Sequence, residues 1–466
     1  MKKVMFKYLP IYAVVFFSLL AVSCSNDDED QDPIPMEQND IVDLAIATGE
    51  LSNLVAALQR ADLVTALQAD GPFTVFAPTN VAFEAFLTAN NFATLEDVPV
   101  DVLTQVLLNH VVSGENVSTA LSTGYVSSLS TAGAGNNNLS LYIDTANGVG
   151  INGVSNVIQA DIDASNGVIH IVDGVIGLPT IVDHALANGD LSELVGALTA
   201  GGNTTFTDLL SGSTTDFTVF APVNGAFTAF TNPNDNELAN ILSNHVIVGA
   251  AAFAADLSNS YVSTAATNTD GDNLSLYINT DNGVVINGSS TVAAADIVAT
   301  NGVIHAVDTV IDIPTVVTFA VADPTFAPLV TALTDATPAT DFVSVLSGDG
   351  PFTVFAPTAN AFQALLDTNG DWNSVSDIEE GLLTSVLQHH VIANSNIRSA
   401  DLTDGISAPT LEGDNVTINL PGTGDNIADI TDGAGNGNNG IIVVDVQAAN
   451  GVIHALNSVL IPDTQN

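Results

Sequence analysis

Phe73–Phe83 reads FTVFAPTNVAF, and the run returns at Phe217–Phe227 as FTVFAPVNGAF and at Phe352–Phe362 as FTVFAPTANAF. A second run, NGVIH, stands at Asn166–His170, Asn301–His305 and Asn450–His454. The first recurs after 144 and then 135 residues, the second after 135 and then 149. Two separate elements repeating in step make the chain three copies of one unit of about 140 residues. That is too long for a solenoid repeat and long enough to bury a core of its own.

The seams follow from the same reading. Each NGVIH is trailed by an apolar stretch that ends in proline, at Pro179, Pro314 and Pro462. A helical pattern begins directly afterwards at Ile181–Leu186 and Val316–Val321, matching Ile41–Ile46 at the front of copy one. The expected domains are 39–179, 180–314 and 315–463, abutting with almost no linker and so with little freedom between neighbours. Within a copy, Leu51, Leu54, Val55 and Leu58 recur at helical spacing. FTVF carries large apolar groups on both faces of a short strand, which predicts burial on both sides. Pro78 ends it, and Thr79 or Asn80 can cap the helix that follows. The second half of copy one is strand-rich, at 139–143, 149–151, 157–162 and 168–172, with Asn-Gly turns at 147, 152 and 166. Helices first and strands after predict an α+β domain.

Composition bounds the partners. The 466 residues hold 52 Asp+Glu and 5 Lys+Arg, with 46% hydrophobic residues. Lys2, Lys3 and Lys7 lie in the first seven positions, so everything after Cys24 keeps only Arg60 and Arg398 as fixed cations. Two isolated arginines cannot neutralise a phosphate backbone, which excludes nucleic acid. Polybasic attraction to anionic lipid fails for the same reason. Residues 1–23 read as a secretory signal: a basic start, a short apolar run from Ile11 to Val22, and small residues before Cys24. This resembles a bacterial lipoprotein signal, which implies cleavage before Cys24 and acylation of the only cysteine, with alanine at 21 where that motif usually has leucine. Residues 24–38 carry acids and prolines and read as a flexible tether. Their acidic run looks like the export signals of Bacteroidetes surface lipoproteins. The expected location is therefore the outer membrane, facing the exterior.

The two boxes, a helix ending in His110-Val111 between them, and a closing proline resemble the fasciclin-like domain family over residues 40–463. The resemblance implies three wedge-shaped β-sandwiches flanked by helices. It also implies extracellular adhesion or matrix modules that bind proteins or polysaccharides without catalysis or cofactor. The copies depart from the pattern in places. Copy two has 18 positions between Phe227 and His245, where the others have 27 and 28, and copy three has Ala359 in place of Asn80 and Asn224. The tyrosine linked to adhesion in animal members is replaced by Asn109, Asn244 and His389, which argues against an integrin-type mechanism. Asp432–Gly440, rich in Gly and Asn, reads as a mobile loop.

Candidate chemistry is thin. His170, His305 and His454 sit in alternating apolar strands, with Asp173 and Asp308 three residues on. Such a pair could orient a base, but identical placement in every copy points to a fold requirement. His110, His245 and His390 end a helix, where a cation complements the dipole; a partner contact is the other reading for them. Asp367, Asn369 and Asp371 alternate as calcium ligands do, and Asn268–Asn273 is similar, but Trp372 stands where an EF-hand needs glycine. No phosphate loop or zinc spacing is present, so no metal or cofactor is expected. The reading is a lipid-anchored adhesion module for an extracellular protein or polysaccharide. The alternatives are a surface carbohydrate-active hydrolase, motivated by the repeated His and Asp, and a structural spacer.

Most carboxylates can have no side-chain cation partner, so mobile ions must screen them. The melting temperature is expected to rise with added NaCl between low salt and seawater strength. A flat profile counts against unpaired acid repulsion as a destabilising force.

Overall fold

A computed structural model describes residues 39–463, save 201–204, 213–214 and 338. The signal, Cys24 and the tether lie outside the described residues. Copy one contributes seven strands: β1 Phe73–Pro78, β2 Val111–Ser113, β3 Gly124–Ser127, β4 Ser140–Asp144, β5 Gly150–Ile151, β6 Ser155–Ala164 and β7 Gly167–Val172. Copy two supplies β8 Phe217–Pro222, β9 Val246–Val248, β10 Ser260–Thr267, β11 Asn273–Asn279, β12 Val285–Ile286, β13 Ser290–Ala299 and β14 Gly302–Val307. Copy three supplies β15 Phe352–Pro357, β16 Val391–Ala393, β17 Ser407–Pro409, β18 Asn415–Asn419, β19 Ala428–Thr431, β20 Asn439–Ala448 and β21 Gly451–Leu456. Each copy forms one seven-stranded sheet in the same order, β2-β1-β7-β6-β5-β4-β3 in copy one.

The two sequence boxes are neighbours at the heart of this sheet. β1 pairs with β7 in parallel, Phe73 opposite Gly167 through Pro78 opposite Val172. The same register joins β8 to β14 and β15 to β21. Every other pairing is antiparallel, as in β1 with β2 and β6 with β7. A parallel pair needs a long crossover, and the helices and outer strands between the boxes provide it. The sheet curls until its ends meet, with Leu129 N–H donating to Val111 O at 2.8 Å and a bridge from Val112 to Ser128. Inside the curl lies one core, including Phe76, Leu141, Ile143 and Val172. Under the helices lies a second, including Val75, Ala77, Leu54, Phe83 and Ile169. Alternate residues of β1 thus enter different cores, which is why the strand reads as apolar throughout.

Asn166 ties these layers together. Its side-chain oxygen accepts from Ile41 N–H at the start of the first helix, Ile41–Ala47, and its nitrogen donates to Leu67 O and Ala69 O. Asn301 and Asn450 repeat the contacts on Ile181, Leu210 and Gly212 and on Val316, Leu346 and Gly348. Gly167 follows at φ 147, and a Cβ there would lie 2.0 Å from Phe73 O, so the pair needs glycine. Asn166-Gly167 is therefore a clamp rather than only a turn. Caps also sort themselves: Thr79 caps the helix Asn80–Ala89 through Ala82 N–H, while Asn80 accepts from Asn53 N–H at the preceding helix, Ser52–Arg60. Thr358 takes the Thr79 role in copy three.

The segment from Asp432 differs from its reading as a loose loop. Asp432 is 4% exposed and accepts from Asn436 N–H, Asn436 Nδ2 and Ile461 N–H. A buried carboxylate replaces the core that the small residues cannot make.

Residues 39–466 form one compact unit. The two seams are built alike. At the first, Ser140 Oγ accepts from Val298 N–H at 2.9 Å, and the Tyr125 ring packs against Tyr142 and edge-on to His184. At the second, Ser275 Oγ accepts from Gln447 N–H at 2.9 Å, and Tyr261 packs against Tyr277 and edge-on to Phe319. Where these tyrosine pairs stand, copy three has Ser407 opposite Thr417. Its outer end therefore lacks the apolar docking pair.

Replacing Asn301 by Ala leaves a helix N-terminus and two carbonyls without partners inside the protein. The expected cost is about 3 kcal/mol, seen as an early transition of copy two in calorimetry. A variant melting like the parent shows the clamp to be dispensable.

Candidate functional site

The histidines that end helices face inward. His110 is 1% exposed, and its Nδ1–H donates to Val106 O at 2.7 Å while Nε2 accepts from Ile176 N–H at 2.9 Å. His245 and His390 do the same with Ile241 O and Ile311 N–H, and with Val386 O and Leu460 N–H. Burial pulls all three imidazoles down to about 4, so they are neutral. The expectation of partner contact at His110, His245 and His390 is corrected, and so is that of a cation on the helix dipole. No ring nitrogen is free to meet either, because these rings join the helix end to the closing strand.

The NGVIH histidines are pins as well. Nε2–H of His170 donates to Asn116 O at 2.9 Å, and Nδ1 accepts from Asp161 N–H at 3.2 Å. Asp161 holds a positive φ of 61 at a bulge in β6, and Asp296 and Asp445 match it in β13 and β20. His305 and His454 repeat the contacts with Ala252 O and Ile397 O. Asp173 turns instead to Asn156 N–H at 2.6 Å, and Asp308 to Thr291 N–H. The pairing of these histidines with Asp173 and Asp308 that motivated the hydrolase reading does not form, and both ring nitrogens are engaged with backbone groups.

The calcium candidate is a local turn. Asn369 Oδ1 accepts from Asp371 N–H at 3.0 Å, and Asp367 accepts from Gln363 Nε2. The similar run at 268–273 serves the second seam: Arg398 pairs with Asp272 and also with its neighbour Asp401. Among the described residues, metal-type ligand atoms gather at His389, Glu412 and Asp414, within 4.8 Å of one another. Gly433 N–H donates to His389 Nε2 at 3.0 Å, so the ring proton sits on Nδ1, facing Thr410 Oγ1 and Glu412. Neither nitrogen can then bind a cation. Arg60 donates to Leu95 O and Glu96 O. Both arginines are thus engaged within the chain.

A polar cleft of about 530 Å³ lies at the second seam. Asn259, Tyr261, Ser263, Asp281, Asp323 and Asp445 line it. Tyr261 donates to Asp323 Oδ2 at 3.0 Å, and burial together with that carboxylate keeps the phenol protonated. Sequence reasoning missed this cleft because its residues come from β10, β11, β20 and the start of copy three. The recurring tyrosine at the start of β3 and β10 was the available signal.

Four buried imidazoles, those above and His184, sit at about 4 against an ordinary 6.5. Depressed values mean that the unfolded chain binds the extra protons. Their stabilisation is complete above pH 6.5 and falls as pH drops toward 4, by about 3 kcal/mol for each fully buried ring. Denaturant titrations should show stability rising from pH 4 to 6.5. A level or opposite slope overturns the neutral assignment.

Comparisons with known proteins place the chain. The sequence profile described as "Fasciclin domain" matches residues 49–179, 189–314 and 328–462. Protein sll1483 of Synechocystis sp. is 43% identical over 136 residues, covering 29% of this chain and 72% of its own length. The transforming growth factor-beta-induced protein ig-h3 of Oryctolagus cuniculus is 27% identical over 91% of this chain. The chain spans 58% of that relative's length. A solved FAS1 domain pair from the insect cell adhesion molecule fasciclin I covers 56% of this chain and 97% of its own at 20% identity. Its TM-score of 0.38 is too low to bear on how neighbouring domains are set. With matching profiles in all three copies and the same seven-stranded sheet in each, the chain belongs to the fasciclin domain family.

Proposed function

We propose that this protein is a lipid-anchored surface adhesion module, exported to the outer membrane and held there through Cys24. Three fasciclin domains present an acidic, hydrogen-bonding surface to an extracellular protein or polysaccharide. The observation that carries this reading is the pair of matching seams, which join three domains into one array. A single-domain binder or a floppy spacer needs neither a buried inter-domain hydrogen bond nor an aromatic pair at each junction. The histidines that could have supplied a catalytic base are committed to backbone partners, which supports a binding role over a hydrolase. The cleft at the second seam, with its carboxylates and amides, suits a polar chain such as a glycan or a peptide.

Two measurements test this. Cys24→Ser should move the protein from the detergent phase to the aqueous phase in Triton X-114 partitioning and from cells to medium. Retention on the cell by the variant refutes the anchor. The released chain should bind a panel of matrix proteins or polysaccharides in a manner weakened by Tyr261→Ala. Failure to bind any of them would leave the adhesion reading without support.

A further inference from the structure

Domain 3 encloses a chamber of about 280 Å³ beneath its opening helices. Ala320, Leu329, Leu333, Leu346, Val354 and Ile453 are among its walls, and no polar atom faces it. Domain 2 repeats it at about 220 Å³, with Ala185, Leu194, Leu198, Leu210, Val219 and Ile304 in the matching positions. In domain 1 the same place, walled by Ala45, Leu54, Leu58, Leu67, Val75 and Ile169, keeps only about 10 Å³. The leucine spacing also differs between the copies. Leu67 follows Leu58 by nine positions, whereas Leu210 follows Leu198 by twelve and Leu346 follows Leu333 by thirteen. In domain 1 the tight turn presses Leu63 and Val64 against the core.

Folded interiors hold few voids larger than a water molecule, because atoms lining a void lose their dispersion partners. An apolar cavity of about 150 Å³ stays dry and accepts benzene. Both chambers exceed that and neither offers a water a partner. Each has an apolar rim: Val321 is 67% exposed and Leu186 64%, and both belong to the chamber walls. The acid-rich chain, with five basic residues in all, disfavours an anionic ligand.

We propose that domains 2 and 3 each bind a small neutral apolar molecule, such as an alkyl alcohol or a terpenoid of roughly ten carbons, while domain 1 binds none. This site is separate from the surface that meets a partner, and its failure would leave the adhesion reading untouched.

The test uses full-length Cys24→Ser chain purified without detergent, titrated with the neutral fluorophore N-phenyl-1-naphthylamine. Two sites per chain are expected, displaced by 1-decanol. Ala185→Phe and Ala320→Phe, which fill one chamber each, should each leave one site, and the double variant none, with circular dichroism unchanged. If the double variant does not fold, Ala185→Leu with Ala320→Leu should weaken the probe at least tenfold. Absence of probe binding by the parent overturns the proposal, as does undiminished binding by either folded double variant. Dodecanoate competing as well as 1-decanol overturns the assignment to neutral ligands.

Discussion

The parallel pairing of β1 with β7 is the constraint on which each domain depends. It brings FTVFAP and NGVIH, some ninety residues apart, side by side at the sheet centre, where both are buried on two faces. The helices and the strands β2 to β6 between the boxes form the crossover that a parallel pair requires. Asn166 then fixes where the helical layer sits by holding one helix start and one helix end with a single carboxamide. Losing that pairing would separate both cores, since Val75 and Ile169 belong to one, and Phe76 and Val172 to the other.

Polar groups are placed inside each domain to join elements that apolar packing alone would leave loose. His110 and His170, with their counterparts, each link two segments far apart in sequence. The helix-end rings His110, His245 and His390 are neutral because they are buried, and neither set of rings has a free nitrogen because each serves backbone partners on both sides. Repetition of such residues across copies pointed in the sequence to a fold requirement, and in the fold it is a joint made three times.

The array is more than three domains in a row. Each junction uses a serine hydroxyl on a partner amide and an aromatic pair on the next domain's first helix. The terminal copies carry Leu44 and the Ser407–Thr417 pair where these contacts stand elsewhere. Such ends do not offer the contacts that join neighbouring copies at the two seams. The second junction adds Arg398 against Asp272. In so acidic a protein, a guanidinium between two domains relieves local repulsion as well as pairing one carboxylate.

Repeats, domain number, the α+β order and the buried strand of the first box were legible in the sequence, because periodicity and turn chemistry are local. So was the shorter helical segment of copy two. The inward direction of His110, His245 and His390 was not, since a helix end says nothing about which strand will cover it. Nor was the bonding of Asp432, whose partners lie at Asn436 and Ile461. The apolar chambers arise from packing of helices against strands that the leucine pattern alone does not place. The sequence by itself determined three fasciclin copies and their acidity. The tertiary structure alone decided which polar groups meet, that the candidate catalytic pairs do not, and where neighbouring domains join, because those outcomes depend on contacts between segments whose separation along the chain carries no information about their distance in space.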